Sequence, residues 1–120
     1  MKKRFRVKRN EEFQTIITKG KRFVGKSFIV YYDFSKMVTN DRVGISVGKK
    51  LGNAVERNKV KRQVRMMVNE IFSFNRGIDT IIIVRNAYLD KDFETNKKEL
   101  SYIYEKVYNS IVDELKRRTA

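Results

Sequence analysis

The stretch GNAVERNKVKRQVR, residues 52–65, decides how the rest of the fold is interpreted. Gly52 is suited to a turn and Asn53 to the N-cap of a helix, so a helix is predicted to begin here. Beyond it, apolar side chains recur at intervals of three and four residues: Val60, Val64, Met67, Val68 and Ile71. This spacing predicts an amphipathic helix that buries one stripe and leaves its other side to solvent.

The segments on either side of this helix have the composition of strands. RVGISVG, residues 42–48, precedes it. DTIIIV, residues 79–84, follows it as a continuous apolar run, which is typical of a strand covered on both faces. Further upstream, FVGKSFIVYYDF, residues 23–34, is β-branched and aromatic, which predicts one long strand or two shorter ones around Gly25.

Two further helices are predicted at the ends of the chain. The first begins with Asn10 as its N-cap, carries Phe13, Ile16 and Ile17, and stops at Gly20. The last begins near Asp90 or Asp92, and its apolar stripe is Leu100, Ile103, Tyr104, Val107, Ile111 and Leu115. The order helix, strands, helix, strand, helix predicts an α+β fold, an α/β sandwich with one small mixed sheet.

Composition excludes several classes of chemistry. The chain has no cysteine and no histidine, so thiol nucleophiles, Ser-His pairs and the usual zinc sites cannot form. No apolar run comes close to the length of about 20 residues that is needed to span a bilayer. The basic N-terminus also lacks the apolar segment of a signal peptide. We therefore expect a cytoplasmic protein with neither a membrane partner nor a small-molecule substrate.

The excess positive charge is confined to the first half of the chain. The net charge is +14; residues 1–65 hold 19 Lys and Arg against 5 Asp and Glu, whereas residues 66–120 hold 9 of each. Such concentration predicts a polyanionic partner, and nucleic acid fits folded-domain patterning better than a membrane does. Because the chain has no proline and no linker, we expect a single domain, residues 1–120, with a basic arm at residues 1–9. The charge predicts that this domain binds nucleic acid.

The predicted central helix concentrates cations on its solvent side. Arg57, Lys61 and Arg65 recur every four residues, with Asn58 and Arg62 beside them, and Lys49 and Lys50 precede the helix. A solvated charged face is the usual explanation of such a run, but only Glu56 offsets five basic residues. The pattern favours a surface that binds phosphates.

Two other sites suggested by short motifs are weaker. GISVGKKLG, residues 44–52, lacks the spacing of a phosphate loop, so Gly44 and Gly48 are interpreted as a strand end and a tight turn. Asp90, Asp92 and Glu94 could form a metal cluster, but helix capping explains them better.

Four aromatic residues could stack on unpaired bases: Phe13, Phe28, Tyr31 and Tyr32. Most aromatics in such elements belong to a core. Because neighbouring residues of a strand face opposite sides, Tyr31 and Tyr32 cannot both lie in one layer.

The residues of the central helix resemble a known signature. Asn53, the run Arg57-Asn58-Lys59, the pair Lys61-Arg62 and Arg65 are similar to the motif of the bacterial ribonuclease P protein subunit. The preceding RVGISVGKKLGNAV and the opening KKRFRVKRNEEFQTIITKG resemble the same family, so the likeness covers nearly the whole chain. It implies a sandwich in which the basic helix makes a left-handed crossover between parallel strands, against the usual right-handed rule.

The resemblance also implies a function. The family assists a catalytic RNA that removes the 5′ leader from precursor tRNA with magnesium ions, so the chain is expected to be part of an endoribonuclease without a catalytic residue of its own. The residues expected to contact the catalytic RNA are Lys49, Lys50, Asn53, Arg57, Asn58, Lys59, Lys61, Arg62 and Arg65. Lys59 stands where the signature usually has Arg, which keeps the charge and loses the bidentate fork.

The leader is expected in a cleft between the first helix and the sheet. Phe13 and Tyr31 resemble the aromatics of the family's cleft, and Ile17 stands where an aromatic is common, which implies a plain apolar contact. Magnesium is expected mainly on the RNA, with Asn58 as a residue that helps to hold a hydrated ion.

Three alternatives stay open on the sequence alone. Another structured-RNA-binding protein, such as a ribosomal or assembly factor, would bind RNA without affecting tRNA cleavage. A metal-dependent nuclease would use Asp90 or Asp92, although the carboxylates are scattered. A DNA-binding protein is compatible with the charge, but the sequence shows no helix-turn-helix pattern.

Overall fold

The elements follow the predicted order. A computed structural model describes residues 5–34 and 40–119, and in these residues it contains three α-helices, two short 3-10 turns and four strands. The helices are α1 (Asn10–Lys19), α2 (Ala54–Ile71) and α3 (Phe93–Thr119). The strands are β1 (Lys21–Val24), β2 (Phe28–Phe34), β3 (Arg42–Val47) and β4 (Ile78–Val84). None of the helices described is long and apolar enough to cross a membrane.

The four strands form one mixed sheet, as predicted. Their order is β1-β2-β4-β3; β3 runs parallel to β4, and the other pairs are antiparallel. The unit β3-α2-β4 is therefore the crossover between parallel strands that the family resemblance implies. The left-handed sense of this crossover stays a prediction. β4 lies between two strands, and six of its seven residues are buried, as expected from its continuous apolar run.

The long aromatic segment is two strands, the second of the two options that the sequence left open. Gly25 lies in the turn between β1 and β2, and Ser27 fastens that turn to α3. The Ser27 hydroxyl donates to Asn96 Oδ1 at 2.8 Å, and its backbone N–H donates to Glu99 Oε2 at 2.9 Å.

Two of the three predicted helix starts are correct. Asn53 Oδ1 accepts from the backbone N–H of Glu56 at 2.9 Å, and the Glu56 carboxylate accepts from the N–H of Asn53 at 3.2 Å. Asp92 accepts from the N–H of Thr95 at 2.8 Å at the start of α3. The prediction for α1 was wrong. Arg9 occupies its N-cap without a side-chain bond, and Asn10 is already helical.

Two hydrophobic clusters lie on opposite sides of the sheet. The larger one, against α2 and α3, includes the buried α2 stripe Val60, Val64, Met67 and Val68, with Ile71 half-buried at its end. The predicted α3 stripe is also buried there, except for half-buried Leu115. The smaller one, under α1, consists of Val7, Ile16 and Ile81. Thus the sheet is closed on one face and only partly covered on the other.

Candidate nucleic-acid interface

The basic residues of α2 lie on its solvent side. The exposed residues of the predicted set are Lys49, Lys50, Asn53, Asn58, Lys59 and Arg62. The half-buried ones are Arg57, Lys61 and Arg65. The capping box at Asn53 fixes where the helix begins, and the buried stripe fixes its rotation. Together they place these side chains on one continuous surface, which we call the basic face.

The basic face has an acidic or neutral border on one side. At about 100° per residue, Glu56, Gln63 and Glu70 share a flank of α2, and Lys59 is the member of the basic face that adjoins it. On that flank Gln63 accepts from the Tyr88 hydroxyl at 2.8 Å, and Glu70 forms a salt bridge with Lys97 of α3. The cations of α2 other than Lys59 lie on the side of the helix away from this flank, where an anionic partner can contact them.

Arg57 carries an unsatisfied donor at the edge of the buried stripe. Among the described residues, no acceptor lies within hydrogen-bond distance of its buried Nε. A buried donor without an acceptor costs about 1 to 3 kcal/mol. Half-buried Arg57 therefore links the buried stripe to the inner edge of the basic face.

The predicted cleft residues lie around the small cluster under α1. Phe13 and Ile17 on α1 and Tyr31 on β2 are half-buried and pack against it. Phe28 and Tyr32, the other candidates for stacking, are buried in the main core, so Tyr31 and Tyr32 do face opposite sides.

Gly44 determines the position of the Phe13 ring. A Cβ at residue 44 would lie 2.5 Å from Phe13 Cζ and 2.8 Å from Ile81 Cδ1, so only glycine leaves room for the ring. The expectation that Gly44 ends a strand was wrong, because it is the third residue of β3. Gly48 does follow the strand end, at the start of the short 3-10 turn Lys49–Leu51.

A pocket of about 320 Å³ joins the cleft to the basic face. Its lining comes from four elements: Asn10, Phe13, Gln14 and Ile17 of α1, Ile45, Ser46 and Val47 of β3, Ile83 of β4 and Lys61 of α2. The structure therefore brings Phe13, Ile17 and Lys61 together. Tyr31 does not line the pocket and belongs to the adjoining cluster.

An ion network that the sequence did not predict fastens α1 to the sheet. Arg42 donates to both carboxylate oxygens of Asp79, at 3.0 and 2.9 Å, and also pairs with Glu12 of α1. Hydrogen bonding to Asp79 raises the pKa of Arg42 above its ordinary value, so its charge is permanent. Arg42 and Asp79 meet because they are partners in the β3–β4 register, a long-range relation without a local signal.

Of the three carboxylates near the start of α3, Asp92 caps the helix. Hydrogen bonds from Thr95 lower the pKa of Asp92, which confirms the capping interpretation for that residue. Within residues 5–34 and 40–119, no three Asp or Glu side chains converge as metal ligands would.

Comparison with known proteins identifies close relatives. A model of the Ribonuclease P family matches residues 1–108. The ribonuclease P protein component of Bacillus cereus strain AH187 is 39% identical over 107 residues, which cover 88% of this chain and 93% of the relative. A Staphylococcus aureus RNase P protein mutant superimposes with a TM-score of 0.81 at 37% identity, over 88% of this chain and 90% of that one. The RNase P protein of Thermotoga maritima gives 0.70 at 29% identity, over 79% and 90%.

Proposed function

The chain belongs to the ribonuclease P protein component family, and from that premise we propose which of its surfaces meet RNA. As a member of that family it is the protein part of an endoribonuclease ribonucleoprotein that processes the 5′ end of tRNA, and the catalytic RNA is a separate molecule. We propose that the basic face of α2 binds the catalytic RNA and that the cleft under α1 binds the leader. The observation that carries both assignments is the pocket shared by Lys61 of α2 and by Phe13 and Ile17 of α1.

The basic face suits a folded RNA because its cations are not neutralised by the protein. Arg62 and Lys59 are exposed, and no salt bridge to either is found in the described part of the chain. Exposed Arg side chains can bind phosphate oxygens with two parallel hydrogen bonds. Half-buried Arg57 adds a further basic side chain at the inner edge of the same surface.

The cleft suits a single strand because it combines half-buried rings with an apolar wall. Phe13 and Tyr31 offer rings to unstacked bases. Ile17, which also lines the pocket, offers an apolar contact. Lys61 stands where the backbone of such a strand would leave the pocket toward the basic face.

We further propose that magnesium ions are held mainly by the RNA. Magnesium keeps several of its waters when it binds, and the exposed Asn58 amide can hydrogen-bond one of them. The chemistry that magnesium supplies belongs to the RNA, and this chain orients the leader. We place the protein in the cytoplasm, where precursor tRNA is made.

The direct test is cleavage of a leader-bearing precursor tRNA at low magnesium concentration. Its three arms are the protein alone, bacterial ribonuclease P RNA alone, and both together. We expect efficient cleavage only in the combined arm. Cleavage by the protein alone, or no stimulation of the RNA, would contradict the proposal.

Two variants separate the two surfaces. Arg62→Ala should weaken binding to the catalytic RNA by about 1 to 3 kcal/mol, because it removes a charge-assisted contact. Arg117→Ala, which removes the same charge from the exposed end of α3, is the matched control and should bind normally. Phe13→Ala should weaken binding of precursor tRNA only when a leader is present, by about 1 to 3 kcal/mol per base that loses stacking. Equal losses with and without a leader would indicate misfolding.

A further inference from the structure

We propose that Arg22 on β1 binds a phosphate of the leader at the end of the cleft farthest from the basic face. This inference rests on the leader binding proposed above and adds a residue outside the predicted site. It follows from the strand register, from the side of the sheet that Arg22 faces, and from its free charge.

The register connects Arg22 to the proposed cleft residues in one row. Gly44, Ile81, Tyr31 and Arg22 are successive partners across β3, β4, β2 and β1. Residues directly opposite each other on paired strands share a face of the sheet. Arg22 is therefore beside Tyr31 on the α1 side, and the Phe13 ring lies over Gly44 at the other end of the row.

The next row is the part of this face that α1 leaves open. It runs through Ser46, Ile83, Ile29 and Val24, which are all exposed or half-buried. Ser46 and Ile83 line the pocket, whereas Val24, 58% exposed, lies two residues beyond Arg22 on the same face of β1. The pocket thus continues across the sheet as an apolar floor that ends beside Arg22.

Cations mark both ends of this floor. Lys61 lines the end at β3, and Arg22 stands at the end on β1; these two strands are three strand spacings, or about 14 Å, apart. A single strand carries aromatic bases along its length and a negative charge at every nucleotide. An apolar floor with a cation at each end can contact both the bases and the phosphates of a single strand. A compact anion would use only the cations.

Arg22 is available for a contact, whereas its neighbour is not. In the part of the chain that the structure describes, the exposed Arg22 has no acidic partner within salt-bridge distance. Lys21 points to the opposite side of the sheet, where its Nζ lies 3.5 Å from Glu114 of α3. Charges on an edge strand also discourage pairing with other chains, but Lys21 would serve that purpose as well as Arg22.

The adjacent pair makes a matched experiment. Arg22→Ala and Lys21→Ala each remove one positive charge from β1, and they differ in the face of the sheet that loses it. We would assemble each variant with ribonuclease P RNA and measure its Kd for precursor tRNA with no leader, a short leader and a long leader over a range of salt concentrations. Thermal unfolding of each variant checks that β1 remains paired.

We expect Arg22→Ala to weaken binding of the long-leader substrate roughly three- to tenfold, as for one exposed phosphate contact. The slope of log K against log salt should become less steep by about 0.7, the value for one phosphate of a single strand. The leaderless substrate should bind as it does to the unmodified protein. Lys21→Ala should resemble the unmodified protein on all three substrates, and Arg22→Lys should restore most of the salt slope.

Two results would overturn the inference. One is equal behaviour of Arg22→Ala and Lys21→Ala on the long leader; the other is a loss in Arg22→Ala that does not depend on the leader. Phe13→Ala, measured in parallel, reports on the cleft itself. If it shows leader-selective loss while Arg22→Ala does not, the proposed function stands and only the role of Arg22 fails.

Discussion

The two faces of the sheet are built from the same strands but differ in how deeply their side chains are buried. On the face toward α2 and α3, Phe28, Val30, Ile82 and Val84 are each no more than 3% exposed. On the face toward α1, Ile81 is also fully buried, but Ile29, Tyr31 and Ile83 stay half-buried. Because strand residues alternate, one strand can hold the core with one set of side chains and offer the other set to a ligand.

Charge also differs between two regions of the molecule, the surroundings of α3 and the basic face of α2. The salt bridges Lys97–Glu70, Lys91–Glu99 and Arg118–Glu114 neutralise cations on or next to α3. Next to the basic face, the acid at the start of α2 is Glu56, which is engaged in the capping box. Like charges without counter-charges weaken a helix. Their presence on this side is therefore best explained by a partner that supplies the anions.

The largest effect is expected from substitutions at two adjacent residues of β4 whose side chains lie on opposite faces of the sheet. Ile82→Ala should lower the free energy of unfolding by about 2 to 5 kcal/mol, because it leaves a cavity in a fully buried site. Ile83→Ala should cost only about 1 kcal/mol, because its side chain is already half-exposed in the pocket. Urea denaturation of both variants measures the difference.

Binding should rank the same two variants in the opposite order. At a temperature where both are folded, Ile83→Ala should lose affinity for leader-bearing precursor tRNA more than Ile82→Ala does. Similar stability losses at the two positions would mean that the α1 face is as closed as the other, and the comparison between the faces would fail.

A smaller effect is expected from the two glycines of the β3 region. Gly44→Ala places a methyl group against the Phe13 ring, so the ring must move, and overpacking of this kind costs about 1 to 3 kcal/mol. Gly48→Ala has nothing within 4 Å of the added methyl group and should leave stability within about 0.5 kcal/mol.

The contrast between the glycines also sharpens the assignment of the cleft. The Kd for leader-bearing precursor tRNA should rise in Gly44→Ala and stay unchanged in Gly48→Ala. If Gly44→Ala binds the leader normally although Phe13 has been displaced, the ring does not contribute to binding.

Most of the fold could be predicted because its signals are local. The α2 stripe repeats every three or four residues, and the capping pair Asn53 and Glu56 lies within one turn, so both are visible in a short window of sequence. The failure at Arg9 and Asn10 has a long-range cause. The Val7 N–H donates to the Val43 carbonyl at 3.0 Å, which keeps the preceding chain extended along β3 up to the helix start.

The candidate site was less predictable, because its parts meet only through the sheet. The basic residues could be found from charge and helical spacing. Phe13 and Tyr31 were two of four candidate aromatics, and only the resemblance to a family selected them and added Ile17. That Lys61 reaches the pocket beside Phe13 depends on how α1 and α2 lie against β3, which no periodicity encodes. Arg22 was missed for the same reason, since only the β1–β2 register puts it beside Tyr31.

A buried acid shows the same limit in the scaffold. Asp41 stands at the end of a polar segment and gave no signal, yet it is 1% exposed. Its carboxylate accepts from the backbone N–H groups of Arg76 and Ile78 at 2.8 and 3.1 Å, and from the Tyr104 hydroxyl at 3.3 Å. It thereby fixes the loop between α2 and β4, a role that depends on residues more than 30 positions away.

The smallest effect concerns the closed side of the molecule at alkaline pH. Burial raises the pKa of Tyr88 to about 12, so the folded protein holds this proton more tightly than the unfolded chain does. The stabilisation is complete below the ordinary pKa of about 10 and is lost as the pH rises from there toward 12. The free energy of unfolding should therefore fall by up to about 1.4 kcal/mol per pH unit over that range on account of this residue.

Tyr88→Phe removes the titrating group and should make that decline shallower, although it also costs about 1 kcal/mol at neutral pH through the lost bond to Gln63. Tyr102→Phe is the matched control, because this ring is 63% exposed and its hydroxyl meets water in both states. Burial also raises the pKa of Tyr104, so part of the decline should persist in Tyr88→Phe. Urea denaturation at several pH values between 9 and 12 measures the slopes. Equal slopes in Tyr88→Phe and Tyr102→Phe would mean that water reaches Tyr88, and that the face against α2 and α3 is less closed than the packing implies.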